Sequence, residues 1–184
     1  MSLEEFGRYV VEFVRVHEAW AVPVVFALAF AESLAFISLV LPSWAALVGI
    51  GAMMGAGGVD FVPVWMAGAL GAALGDWLSY WIGSRFKRSS AGVWPFSRHP
   101  QLLPRGEAFI KKWGVLAIFI GRFSGPLRAS VPIVAGILAM PYQSFQLANF
   151  GSAFVWSAVL LKLGDIVATI STWLWNDVLS KFWM

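Results

Sequence analysis

The chain has 184 residues, of which 59% are hydrophobic and 12% are charged, with 13 Lys and Arg against 10 Asp and Glu. Soluble domains carry about 25% charged residues, so this composition excludes an ordinary water-soluble domain and indicates an integral membrane protein of one domain. The absence of cysteine excludes disulfides and thiolate chemistry, and the two histidines, His17 and His99, are too few and too far apart to predict a metal site.

Residues 1–18 are predicted to form an amphipathic helix that lies on the membrane surface. Apolar residues recur there at helical spacing, and acidic and basic residues occupy the remaining positions. Because the charges continue to Glu18, the segment does not have the pattern of a cleavable signal peptide. We therefore expect it to stay attached to the protein.

Residues 19–59 form an apolar run that contains a single charged residue, Glu32. A spanning helix needs about 20 residues, so a run of this length is expected to turn back on itself, with Pro42 as the break. The arm that follows Pro42 is short and rich in glycine. This pattern favours a helix followed by a re-entrant hairpin over two full spans.

Residues 61–84 are predicted to form a spanning helix whose interior charge is Asp76. The helix contains Gly71 and Gly75, and small residues at this spacing allow two helix backbones to approach closely in lipid.

Residues 85–112 hold seven of the 13 basic residues: Arg85, Lys87, Arg88, Arg98, Arg105, Lys111 and Lys112. A basic segment can indicate nucleic-acid binding, but between apolar runs it is better explained as a cytoplasmic loop that follows the positive-inside rule. Three prolines within it argue against one long helix. We therefore expect a cytoplasmic loop and no nucleic-acid partner.

Residues 113–142 are expected to form a second re-entrant segment, because two arginines and several helix breakers lie close together in an apolar run. The arginines are Arg122 and Arg128, and the breakers that should line the site are Gly125, Pro126 and Pro132. Irregular backbone at membrane depth is tolerated only where it is buried in protein or lines a cavity. Its free N–H groups and two guanidinium groups would together suit a phosphate or carboxylate.

Residues 144–164 are then predicted to form another spanning helix, and residues 165–184 an aromatic membrane or interfacial helix. The two halves of the chain also contain a weak internal repeat. At an offset of 90 residues Glu32 corresponds to Arg122, and Pro42 corresponds to Pro132. This predicts an inverted pair of hairpins in which Glu32 and Arg122 approach each other near the middle of the membrane.

Four charged residues, Glu32, Asp76, Arg122 and Arg128, therefore lie inside apolar runs. One charge at the bilayer centre costs about 2.5–3.5 kcal/mol, so we expect all four to face inward and to compensate one another. They could be structural salt bridges or a transport site for an anion. A functional role is favoured, because buried ion pairs are often no more stabilising than apolar packing. The two carboxylates could also bind protons, which would then be the coupling ion.

Three motifs in the chain resemble the DedA family of SNARE-associated, or VTT-domain, membrane proteins. They are FAESLAFISLVLPS, which contains Glu32, then GDWLSYWIG from Gly75 to Gly83, and FIGRFSGPLRASVPIVAGILAM from Phe119 to Met140. The resemblance covers about residues 26 to 164, which is most of the chain.

The resemblance implies paired re-entrant hairpins in a bacterial inner membrane, without a cofactor. It implies a flippase or scramblase for a phospholipid or a polyisoprenyl phosphate such as undecaprenyl phosphate, with roles in membrane homeostasis and dependence on protons in some members. It also makes Glu32, Arg122 and Arg128 the functional charges. Many members have a second acid where this chain has Trp44, so proton transfer through that position is not expected here unless Asp76 replaces it.

Other function classes use the same residues differently. A proton- or ion-coupled antiporter of small solutes would depend on the carboxylates, and a scaffold would need no intramembrane charge. A lipid phosphatase would need its usual histidine nucleophile or general acid near the arginines, but both histidines lie outside the apolar runs. We therefore expect a transporter of membrane lipids, not an enzyme, which could assemble as a homo-oligomer.

The topology can be tested with single cysteines, because the natural chain has none. Cysteines that replace Ser89 or Ser97 should resist a thiol reagent that cannot cross the membrane, and should react after the cells are opened. Labelling of both positions in intact cells would show that residues 85–112 lie outside.

Overall fold

A computed structural model describes the central part of the chain. The described residues are 5, 20–34, 43–55, 60–86, 101–124 and 126–174. Within these ranges the backbone forms seven helices and no strand, as the predicted all-α class requires. In chain order they are α1 (Ala21–Ser33), α2 (Ser43–Gly55), α3 (Phe61–Phe86), α4 (Leu102–Trp113), α5 (Leu116–Gly121), α6 (Pro126–Ile137) and α7 (Tyr142–Trp173).

Two of the described helices, α3 and α7, are long and apolar enough to cross a membrane. They contain 26 and 32 residues, or about 39 and 48 Å of helix at 1.5 Å per residue. They cover the predicted spanning segments 61–84 and 144–164. The apolar helices α1 and α2 contain 13 residues each and α6 contains 12, so each is about 20 Å long and shorter than the hydrocarbon core.

Helices α3 and α7 lie antiparallel against each other at the centre of the fold. Near the start of α3 the Trp65 indole donates a hydrogen bond to the carbonyl oxygen of Phe154, at 2.8 Å. Near its end Tyr80 stacks on Phe145, with ring centroids 4.2 Å apart. Helices α1, α2, α5 and α6 pack against this pair, and α4 packs on α5 and α6.

Helix α1 runs parallel to α3 and lies against a row of glycines. A Cβ atom added at Gly71 would overlap the carbonyl oxygen of Phe26, and one at Gly75 would lie 2.6 Å from that of Phe30. The close backbone approach predicted from Gly71 and Gly75 is therefore present, with α1 as the partner helix.

Glycines also mediate the contacts of α2 with α7 and of α6 with α3. A Cβ atom added at Gly164 of α7 would overlap the carbonyl oxygen of Val48 on α2. One added at Gly83 of α3 would overlap the carbonyl oxygen of Ile133 on α6. Three helix pairings, α1 with α3, α2 with α7 and α3 with α6, thus depend on close approach of the two backbones at a glycine. The fourth is the long contact between α3 and α7.

The described apolar residues form two separate cores along the central pair. One core lies among α1, α2, the first half of α3 and the middle of α7. The other lies among the end of α3, the beginning of α7, and α4, α5 and α6. The layer between the two cores is polar.

Residues 102–113, at the end of the predicted loop 85–112, form the short helix α4. This helix buries Ile110 and exposes Lys111 and Lys112, as an amphipathic helix does. Pro104 does not break it, since a proline in the first turn removes an N–H group that has no partner within the helix. The second predicted re-entrant segment, 113–142, contains α5 and α6.

Several predictions concern residues outside the described ranges. They are the N-terminal helix apart from Glu5, the turn at Pro42, and the end of the C-terminal segment 165–184. The inverted repeat stays a prediction. The connections within the two predicted hairpins differ in length, since α2 begins ten residues after α1 ends and α6 begins five residues after α5 ends.

Two glycines of α7 provide a matched test of the packing. Alanine at Gly164 would meet the backbone of α2, whereas alanine at Gly151 would meet nothing within 4 Å. We expect Gly164→Ala to lower the free energy of unfolding by about 1–3 kcal/mol. Gly151→Ala should raise it by up to about 1 kcal/mol, because alanine favours the helix. Opposite shifts in melting temperature in detergent would support this packing, and equal shifts would contradict it.

Candidate functional site

The four charged residues predicted to face inward meet in the polar layer between the two cores. Glu32 lies in the last turn of α1, and Asp76 lies near the middle of α3. Arg122 directly follows α5, and Arg128 lies in the first turn of α6. They form two ion pairs, Arg122 with Asp76 and Arg128 with Glu32.

The Arg122–Asp76 pair is almost completely buried. Nη2 of Arg122 donates to Oδ2 of Asp76 at 2.6 Å and to Oδ1 of Asn149 at 2.7 Å. Nε donates to the Ser152 hydroxyl oxygen at 3.0 Å. Asn149 in turn donates to the carbonyl oxygen of Ala73 at 2.9 Å. The network therefore connects the turn after α5 to both central helices.

The Arg128–Glu32 pair is less enclosed. Nη1 of Arg128 donates to Oε1 of Glu32, and Nη2 donates to the Ser33 hydroxyl oxygen at 3.2 Å. The guanidinium carbon lies 4.2 Å from the ring centroid of Trp156 on α7, which is the geometry of a cation–π contact. The Arg128 side chain is 11% exposed, against 1% for that of Arg122.

The predicted approach of Glu32 to Arg122 is wrong about the partners. Each of these residues forms its ion pair with one of the other two charges. The physical reason is the position of α3, which presents Asp76 to Arg122 and leaves Glu32, on the neighbouring α1, to Arg128. The offset of 90 residues carries no information about which helix lies between the two halves.

Each charged side chain of the site keeps one buried polar atom that has no hydrogen-bond partner within the described residues. These atoms are Oε2 of Glu32, Oδ1 of Asp76, Nη1 of Arg122 and Nε of Arg128. A buried polar group without a partner costs about 1–3 kcal/mol, more if charged. Two donors and two acceptors are thus available to a polar ligand or to water.

Three residues of α7 that contribute to the site were missed in the sequence. They are Asn149, Ser152 and Trp156, which are three and four positions apart and so lie on one face of the helix. The sequence did indicate a polar face, because Asn149 and Ser152 are polar residues three positions apart in an apolar run. The structure shows that both are fully buried. Ser33 was missed because a serine beside a glutamate has no distinctive pattern.

The predicted helix breakers are only partly described. Pro42 and Gly125 lie outside the described residues. Pro126 begins α6, where a missing N–H group is tolerated, and Pro132 is buried within that helix. Among the described residues no three His, Cys, Asp or Glu side chains are grouped closely enough to hold a metal ion.

The chain is similar in sequence to several bacterial membrane proteins. A family model described as the VTT domain matches residues 41–166. The inner membrane protein YabI of Escherichia coli (strain K12) is 39% identical over 129 residues, which cover 70% of this chain and 50% of YabI. The inner membrane protein YghB of the same strain is 30% identical over 151 residues, which cover 80% of this chain and 68% of YghB.

A third relative is the uncharacterized membrane protein BU139 of Buchnera aphidicola. It is 34% identical over 137 residues, which cover 74% of this chain and 54% of the relative. The chain therefore spans about half the length of YabI and BU139. No solved structure matches it.

The buried pair can be tested against a surface pair of the same kind. Asp76→Asn removes the charge that compensates the enclosed Arg122, and should lower the free energy of unfolding by about 3–5 kcal/mol. Asp165→Asn changes an exposed pair in which Nζ of Lys162 lies 3.1 Å from Oδ2 of Asp165. It should lower the free energy of unfolding by less than about 1 kcal/mol. Melting temperatures in detergent measure both. Equal stability of Asp76→Asn and the wild type would show that the buried pair does not hold the helices together.

Proposed function

The chain belongs to the DedA family of VTT-domain membrane proteins, and on this premise we propose that it moves an anionic lipid between the two leaflets of the membrane. The substrate class is a phospholipid or a polyisoprenyl phosphate such as undecaprenyl phosphate. In this proposal the phosphate group binds at the buried arginines while the apolar tail stays in the lipid. The resemblance drawn from the three motifs is confirmed at the level of the family.

The observation that supports transport most directly is the incomplete pairing of the buried charges. A site that served only to join helices would gain most from saturated hydrogen bonds or from apolar packing. Here each of the four charged side chains has one buried atom without a partner among the described residues. The oxygen atoms of a phosphate group could accept hydrogen bonds from Nη1 of Arg122 and Nε of Arg128.

Arginine also has the right chemistry for this ligand. Its planar guanidinium group forms paired hydrogen bonds with phosphate, and its charge does not depend on pH in the physiological range. Arg128 lies in the first turn of α6, where the helix dipole and the free N–H groups favour a negative charge. A phosphate at this point would therefore be attracted by the side chain and by the backbone.

The short apolar helices suggest how a lipid could cross. Helices α1, α2 and α6 are too short to span the bilayer, and α1 and α6 contribute to different cores on α3. We propose that α1–α2 and α5–α6 are two re-entrant hairpins that meet at the polar layer. Opening of each hairpin to its own leaflet would expose the site alternately, as an inverted repeat allows.

A lipid substrate is favoured over a small solute by the surroundings of the site. Trp77, which follows Asp76 in α3, is 39% exposed. Helix α7 exposes an apolar row whose members include Leu147, Val155, Val159, Leu163 and Ile170. Such surfaces suit the tail of a lipid whose headgroup is inside. An antiporter that uses protons on Glu32 and Asp76 remains the second candidate.

Leaflet exchange tests the proposal with Arg128→Lys. Lysine keeps the charge opposite Glu32 but cannot form paired hydrogen bonds to phosphate. We expect the variant to fold and to lose at least about tenfold in the rate of exchange of a headgroup-labelled phospholipid in liposomes. Arg105→Lys, an exposed position on α4, is the matched control and should exchange at the wild-type rate.

Two results would count against the proposal. Exchange at the wild-type rate by Arg128→Lys would exclude phosphate recognition by this arginine. Absence of exchange by the wild-type protein, for phospholipids and polyisoprenyl phosphates alike, would leave the antiporter as the better hypothesis.

A further inference from the structure

The two ion pairs of the site are held in different ways. Arg122 is bound by side chains from α3 and α7, and three of its partners are Asp76, Asn149 and Ser152. Arg128 is bound by Glu32 and Ser33, which are adjacent residues of α1, and by the face of the Trp156 ring. Arg122 is thus attached to the central helices, whereas the hydrogen bonds of Arg128 to described residues come from the end of one short helix.

The end of α1 is a place where a side chain can leave its partner without movement of a central helix. Glu32 and Ser33 are the last two residues of the helix, and Leu34 already has an extended backbone with ψ of 124°. Helix ends open more easily than helix interiors, because fewer hydrogen bonds must break. Asp76, by contrast, lies in the middle of the 26-residue α3 and cannot leave Arg122 without moving a central helix.

The contact between Arg128 and Glu32 is also incomplete. It uses Nη1 and Oε1, while Nε and Oε2 have no partner among the described residues. A guanidinium group that binds an oxyanion best does so with two parallel hydrogen bonds. Glu32 therefore occupies the edge of Arg128 with one oxygen atom and leaves the second position open.

We propose that Glu32 occupies the position of a phosphate oxygen on Arg128, and that the substrate binds by displacing this carboxylate while Arg122 and Asp76 stay paired. This inference rests on the proposed function and assigns different roles to the two arginines. Arg128 is the exchangeable receptor, whereas Arg122 holds the turn after α5 in place and offers only Nη1 to the phosphate. In the empty protein Glu32 compensates the charge of Arg128 until an anion arrives.

Trp156 explains how Arg128 can exchange partners without losing its position. The ring covers the face of the guanidinium group, while both carboxylate and phosphate bind at its edge. The face contact can therefore persist when the edge contact changes. Trp156 is a positioning residue in this scheme, because it holds Arg128 and does not itself need to contact the phosphate.

The experiment compares two carboxylate-to-amide substitutions, Glu32→Gln and Asp76→Asn. Binding of dodecyl phosphate to the purified protein in a neutral detergent is measured by calorimetry at fixed pH. Glu32→Gln removes the competing charge, so it should bind dodecyl phosphate at least about tenfold more tightly than the wild type. Asp76→Asn should gain less affinity than Glu32→Gln, and Asp165→Asn, in the exposed pair with Lys162, is the matched control whose affinity should change by less than about threefold.

Glu32→Asp is included because it keeps the charge, and with it the stability of the fold. Its carboxylate is one methylene shorter and should reach Arg128 less well, so we expect an affinity between those of the wild type and Glu32→Gln. Inorganic phosphate is titrated in parallel. Tighter binding of dodecyl phosphate than of inorganic phosphate indicates a lipid headgroup, and equal binding indicates a free anion.

The outcomes separate this inference from the proposed function. If the wild type binds dodecyl phosphate but Glu32→Gln and Glu32→Asp bind it no more tightly, the displacement of Glu32 is excluded and lipid binding stands. If Asp76→Asn gains as much affinity as Glu32→Gln, the two pairs are equivalent and the different roles are excluded. If neither the wild type nor any variant binds a phosphate, the proposed function fails together with this inference.

Discussion

The compensation of four buried charges is the constraint on which this fold depends. A single unpaired charge in the apolar interior would cost about 2.5–3.5 kcal/mol or more, and four would cost as much as the whole stability of an ordinary domain. The charges come from α1, α3, the turn after α5, and α6. Because they must meet in pairs, these four parts of the chain have to reach one layer of the structure.

Close packing of the backbones makes this meeting geometrically feasible. Glycines at Gly71, Gly75 and Gly83 of α3 remove the side chains that would hold α1 and α6 away. The short helices can then bring Glu32 and Arg128 to the surface of the central pair, where Asp76 already lies. The two apolar cores above and below this layer exclude water and so strengthen the attraction between the opposite charges.

Under the proposed function, stability and transport place different demands on these charges, and each ion pair meets one of the two demands. A pair held by two central helices, such as Arg122 with Asp76, joins helices and keeps only Nη1 of Arg122 and Oδ1 of Asp76 without a partner among the described residues. In the pair of Arg128 with Glu32, the hydrogen bonds come from one short helix and the Trp156 ring covers the guanidinium face. We infer that separating this pair requires less free energy.

The sequence by itself determined the membrane class, the two long helices, and the four inward-facing charges, because hydrophobic length and the cost of buried charge are local properties. It also predicted the close approach at Gly71 and Gly75. It did not determine which acid pairs with which arginine, that residues 102–113 are helical, or that Asn149, Ser152 and Trp156 complete the site. Those features depend on how α1, α6 and α7 are arranged around α3, and such arrangements arise from contacts between residues far apart in the chain, which no local pattern records.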